Sequence, residues 1–322
     1  DISLSNLHTD ELLSLGFTSL IIEGSDSTDD TLIVDLSTGD VPLNVTYHGG
    51  AGGYDTLKVG GVSRGNYTPG QVFGDGVFTS GTTYIAFTGL EPVIIDGSLP
   101  SPSVSSGTAT SGTTSLTNGT FTFTTPSTGN GNDLITIDSP APGQNRVSGT
   151  SGGVAFESVT FSNIADFRIH TGSNDLIGSS DDSVELISPL VALGLRELSI
   201  STGDGDDLIN LSNGAPADIL TVTVNAGSGF DQVRGFSQDV LWKHTGIGQG
   251  TIGFVSLAGT EVLVGRDGVP NFLDSVPTAF SSVTGLPVWQ SLGGSTTTLK
   301  DNEPTLSEPG VIPGQSVEQG PA

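Results

Sequence analysis

Cysteine and methionine are both absent from the 322 residues. Without cysteine the chain has no disulfide, no thiolate metal ligand and no cysteine nucleophile. Without methionine no initiator remains, so Asp1 reads as a processed start or as a cut within a longer chain. Export after removal of a leader is the expectation. Basic residues are scarce too, nine Lys and Arg against 35 Asp and Glu, for a net charge of −26. Phosphate binding needs clustered cations. Here Lys58, Arg64, Arg146, Arg168, Arg196, Arg234, Lys243, Arg266 and Lys300 are scattered, which excludes nucleic acid as a partner. No run approaches the roughly 18 apolar residues of a spanning helix, so no membrane insertion is expected. The histidines His8, His48, His170 and His244 stand apart, without the spacing of a zinc site or a triad. No catalytic constellation stands out, and the chain is not expected to be an enzyme.

What the chain has in excess is glycine, 47 residues, or about double the usual ~7 %. Short β-branched runs alternate with turns of Gly, Asp, Asn and Ser, the pattern of strands rather than helices. Residues 194–233 show it best, with Gly203-Asp204-Gly205-Asp206-Asp207-Leu208-Ile209 followed by Gly227-Ser228-Gly229-Phe230-Asp231-Gln232-Val233. This unit recurs. Asp30 matches Asp207 and Thr46 matches Thr223 at an offset of 177, and TYIAFTGLEPVIIDG (83–97) answers TIGFVSLAGTEVLVGRDG (251–268). A partial third copy has its Gly-Asp turn at 128–138 and its strands at 155–177.

The turn aspartates keep a cadence: Asp30 to Asp55 is 25 residues, Asp182 to Asp207 is 25, and Asp207 to Asp231 is 24. Asp133 to Asp182 is 49, close to two such steps. Two short strands and their turns need about that length, so an all-β parallel β-solenoid is expected, with an antiparallel β-sandwich as the alternative. Composition divides the chain into a β repeat module (1–97), a Ser/Thr/Gly-rich linker or insertion (98–120), further β repeats (121–268) and a C-terminal segment with a Pro/Gly-rich tail (269–322). Residues 1–13 read as strand-like or irregular, with a capped helical turn as the other option.

Glycine allows the positive φ of a tight reversal, and aspartate accepts backbone N–H bonds there or ligates a cation. TGDGDDLIN (202–210), TGNGNDLIT (128–136) and AGSGFDQVR (226–234) resemble the G-G-x-G-x-D-x-U-x nonapeptide of calcium-binding RTX β-rolls. Here the motifs come singly rather than in tandem, so the shared ion site of that family does not carry over directly. Phe87-Thr88-Gly89-Leu90-Glu91 and Gly194-Leu195-Arg196-Glu197-Leu198 are similar to modules of large repetitive bacterial cell-surface proteins of planctomycete type. That resemblance covers most of residues 14–268 and implies a surface location with a structural or adhesive role.

Candidate Ca²⁺ ligands are Asp30, Asp55, Asp133, Asp182, Asp204, Asp206, Asp207 and Asp231. Stacked about 4.8 Å apart, such carboxylates repel by ~3.5 kcal/mol at an effective dielectric of 20 and by under ~1 in water. Partly buried ones would need a cation, whereas exposed ones are plain Asx turns. The expected role is an extracellular structural subunit of a surface layer, sheath or filament. It would self-assemble by strand stacking, with calcium as stabiliser. A glycan-binding adhesin is the alternative, and a polysaccharide-degrading β-helix enzyme the third reading.

Overall fold

A computed structural model describes residues 2–5, 11–97, 119–126, 131–175, 180–214, 221–235, 241–246, 249–252, 255–260, 262–264, 270–272 and 297–300. The strands run in chain order as β1 (Ile2–Ser5), β2 (Ser19–Glu23), β3 (Thr31–Asp35), β4 (Asn44–His48), β5 (Thr56–Gly60), β6 (Arg64–Pro69), β7 (Gly76–Ser80), β8 (Thr83–Thr88) and β9 (Val93–Asp96). There follow β10 (Thr120–Thr124), β11 (Asp133–Asp138), β12 (Asn145–Ser151), β13 (Val154–Ala155), β14 (Val159–Ser162), β15 (Asp166–His170), β16 (Ser183–Leu186) and β17 (Glu197–Ser201). The remainder are β18 (Leu208–Asn210), β19 (Thr221–Asn225), β20 (Gln232–Arg234), β21 (Leu241–Gly246), β22 (Gln249–Ile252), β23 (Val255–Ala258), β24 (Val262–Val264), β25 (Pro270–Phe272) and β26 (Thr297–Lys300).

Among the described residues these form two 13-stranded sheets. The first runs β1-β3-β5-β9-β14-β12-β11-β16-β18-β20-β24-β25, with β13 on β12. The second runs β2-β4-β8-β7-β6-β10-β15-β17-β19-β23-β22-β21-β26. A typical pass of the chain leaves one strand in each sheet, and successive passes pair in parallel, as β16-β18-β20 and β15-β17-β19 do. Among the described residues, antiparallel pairing is confined to the detours β6–β8, β11–β14 and β21–β23 and to the last strands, β25 and β26. The antiparallel sandwich therefore does not describe these sheets, which are mixed and form no closed barrel.

Period-two alternation makes the strands, and one face of each is buried. In Thr120-Phe-Thr-Phe-Thr124 both phenylalanines are buried and the threonines lie on the other face. The core lies between the sheets. Phe161 of the first sheet meets Phe167 of the second with ring centroids 4.3 Å apart, and Phe121 touches both.

The offset of 177 corresponds to a repeated topology. The β4-β8-β7-β6 order of the second sheet returns as β19-β23-β22-β21, and β3-β5-β9 of the first returns as β18-β20-β24. The cadence needs one correction. The 49 residues from Asp133 to Asp182 are a single step, because β11 pairs directly with β16 while β12, β13 and β14 are laid down in between. Near the start both options occur, with β1 as an edge strand and a helical turn at residues 11–14 whose Leu12 and Leu13 pack on the core. Residues 98–118 of the expected linker lie outside the described residues, as does most of 269–322. No helix among the described residues is long and apolar enough to cross a membrane.

Candidate functional site

The Gly-Asp turns all lie on one edge, where the chain leaves a second-sheet strand and enters the next first-sheet strand. An acidic residue stands two places before the first inward apolar residue of the new strand. Leu32, Leu57, Val93 and Val159 are register partners, which aligns Asp30, Asp55, Glu91 and Glu157. Ile135, Val184, Ile209 and Val233 are likewise partners, which aligns Asp133, Asp182, Asp207 and Asp231. From Asp55 onward every member is buried except Glu91.

Five of these carboxylates, Asp55, Glu91, Asp182, Asp207 and Asp231, reach back along the column to the amide of the preceding pass. Asp30 N–H donates to Asp55 Oδ1 at 2.8 Å, Asp133 N–H to Asp182 Oδ1 at 2.8 Å, Asp182 N–H to Asp207 Oδ1 at 2.8 Å, and Asp207 N–H to Asp231 Oδ1 at 2.9 Å. Glu91 Oε2 accepts from Asp55 N–H at 3.2 Å. One residue earlier an exposed row runs the other way. Tyr54 N–H donates to Asp29 Oδ1, Asp206 N–H to Asp181 Oδ1 and Phe230 N–H to Asp206 Oδ1, at 2.8–3.0 Å. An Asp-Asp pair such as Asp206-Asp207 thus ties one pass to both of its neighbours.

The threonines and glycines of these turns have roles of the same kind. Thr125, Thr171 and Thr202 open the turns, and each hydroxyl donates to the carbonyl of the next residue in that row, Thr171, Thr202 and Ala226, at 2.7, 3.3 and 2.9 Å. Gly203 and Gly227 have φ of +108° and +99°, with Gly203 against the backbone of Gly172 and Gly227 against that of Gly203. Asp204, outside the inner column, gives its N–H to Asp175 Oδ2 at 2.7 Å and bridges to Ser228.

Burial raises the carboxyl pKa values, with Asp182 pushed up to about 8, Glu157 to about 7 and Asp207 to about 6. Asp133 is also raised by burial, although the Asn174 side-chain amide donates to it. Asp182 Oδ2, Asp207 Oδ2 and Glu157 Oε2 are buried without a hydrogen-bond partner. The nearby Thr171 hydroxyl offsets part of the Asp182 shift.

The eight predicted aspartates are thus placed in file, one to a pass except for Asp204, Asp206 and Asp207, which share a single turn. Among the described residues no group of three or more His, Asp or Glu side chains converges to hold a metal. The oxygens of Asp55, Asp182, Asp207 and Asp231 that face the neighbouring pass are engaged by amides. Glu91 and Glu157 belong to the column although they were absent from the aspartate reading. The signal was present in Glu91-Pro-Val-Ile-Ile and Glu157-Ser-Val-Thr-Phe, which share the acid-x-apolar-x-apolar pattern of Asp55-Thr-Leu-Lys-Val.

Inner and outer carboxylates differ in what their loss exposes. At pH 5, Asp207→Ala is expected to cost about 2–3 kcal/mol by urea unfolding, because it strands the buried Asp182 amide. The exposed Asp206→Ala should cost under about 1 kcal/mol.

Comparison with family models, with curated proteins and with solved structures finds no match for this chain.

Proposed function

We propose that the chain is a structural module: a β-solenoid of an extracellular or cell-surface assembly, built to extend and to stack. The observation that carries this is the use made of its acidic turn residues. Asp55, Asp182, Asp206, Asp207 and Asp231 each hold the amide of a neighbouring pass. Long-range order in one direction, rather than a cleft, is what these contacts produce. Among the described residues, β1 and β2 end one side of the sheets and β25 and β26 the other. Unpaired strand edges are templates for another strand. A second copy docked there would continue both sheets, against the repulsion of chains carrying −26 each.

Sedimentation and electron microscopy test this reading. The expected result is concentration-dependent oligomers or filaments, favoured by added salt because screening weakens the repulsion. A species that stays monomeric at all concentrations and salts would overturn it. Repeating the series with CaCl₂ and NaCl at equal ionic strength separates a specific calcium effect from screening. A shift confined to CaCl₂ would support the calcium-stabilised form of this proposal, with ligands shared between copies. Equal shifts would leave assembly dependent on screening alone.

A further inference from the structure

The outer face of the second sheet carries a different chemistry from the acidic edge. Register places Thr79, Asn66, Thr122, Ser199, Thr223 and Ser256 in one row, interrupted only by Arg168 between Thr122 and Ser199. A second row two residues on contains Thr124, His170, Ser201 and Asn225. Between β4 and β23 the charged outward residues of the described strands are Arg64, Arg168, Asp166 and Glu197, two of each sign. Asp166 and Arg168 form an ion pair with each other. In a chain with a net charge of −26 this face is close to neutral. The outer face of the first sheet differs, with Lys58, Arg146, Asp138, Glu185 and Arg234 among its residues and Leu134 and Leu208 exposed.

We propose that this face binds an uncharged polysaccharide chain laid across the strands. Threonine and serine hydroxyls and asparagine amides each offer donor and acceptor, which is the inventory that sugar hydroxyls require. Few ionised groups must be stripped of water on contact, so the desolvation cost is small. The rows are partly ordered in advance, since the Thr124 hydroxyl donates to Asn66 Oδ1 at 2.9 Å. Tyr84, 42 % exposed and paired with Thr79, adds an aromatic ring at one end on which a sugar can stack. Seven adjacent strands from β7 to β23 give a platform of about 30 Å at the usual strand spacing. The charge argument also selects the ligand. An acidic polysaccharide would meet the field of the Asp-lined edge, whereas a neutral one would not.

The test is depletion of the full chain by particles of cellulose, chitin and β-1,3-glucan, with polygalacturonate as the acidic control. At least one neutral polysaccharide should bind, with little dependence on added NaCl, and polygalacturonate should not. The double variant Thr122→Glu/Ser199→Glu should weaken binding by about tenfold or more, the equivalent of a lost hydrogen bond. Gln232→Glu, outward on the first sheet, should leave binding unchanged. Circular dichroism confirms that each variant is folded. Retained binding in the double variant, or none to any neutral polysaccharide, would overturn the proposal. So would self-association abolished by that variant, which would assign the face to a second copy. The strand edges are untouched, so assembly and glycan binding succeed or fail separately.

Discussion

Gly227→Ala is expected to destabilise the protein by about 4 kcal/mol or more, a loss seen only when packing or backbone is directly violated. A Cβ there would lie 1.7 Å from the carbonyl oxygen of Gly203 and 2.7 Å from its carbonyl carbon. Neither atom can rotate away, because the Gly203 carbonyl also accepts the Ser228 N–H at 2.9 Å. The residue has a φ of +99°, which adds strain for any side chain. Relief requires separating two passes, which breaks the Asp207–Asp231 contact beside it. Gly60→Ala is the control. Nothing lies within 4 Å of its added Cβ and its φ is ordinary, so a change within about 0.5 kcal/mol is expected. Thermal and urea unfolding of the two variants decide the matter, and equal midpoints would show that the close stacking of passes at this turn is wrong.

Stability should fall as pH rises from about 5 to 8, which is the second large effect. The folded pKa values of Asp182, Glu157 and Asp207 lie above their ordinary values, at about 8, 7 and 6. The folded state therefore holds more protons than the unfolded state between the ordinary pKa and the raised one. Stability is full below pH ~4 as far as these groups are concerned, and is lost as pH climbs through each folded pKa. One such group contributes at most about 1.4 kcal/mol per pH unit, and relaxation around the charged form reduces that. A total on the order of 3 kcal/mol between pH 5 and 8 would lower the melting temperature by about 5–10 °C. Asp182→Asn keeps an oxygen for the Asp133 amide and supplies an N–H₂ toward Thr171, so it should flatten the profile above pH 6. Glu157→Gln should do so over its own range. A wild-type profile that is flat or rises toward pH 8 would refute the buried-acid account.

Much of this edge was legible in residue order. Thr202-Gly203-Asp204-Gly205-Asp206-Asp207 announces a tight turn before a strand, and the 24- and 25-residue steps announce neighbouring passes. The pairing of Asp133 with Asp182 was not legible, because the β12–β14 detour doubles the step without adding a pass. Nor was Glu157, whose column neighbour Glu91 is 66 residues away in the chain. The opposed directions of the inner and outer carboxylates depend on side-chain orientation alone, which composition does not encode.

The sequence by itself determined that this is an all-β chain with acidic, glycine-bearing turns and no concentration of positive charge. Alternation of apolar residues and the positive φ of glycine act within a few residues, so local order suffices to specify them. Only the tertiary structure decided which turns adjoin, which carboxylates lose their water, and what they then hold. A parallel strand finds its hydrogen-bond partner a whole pass away, and detours of differing length make that distance variable. Asp55, Asp182, Asp207 and Asp231 are visible in the sequence as turn residues, and only the stacking of passes makes them acceptors for backbone amides of the preceding pass.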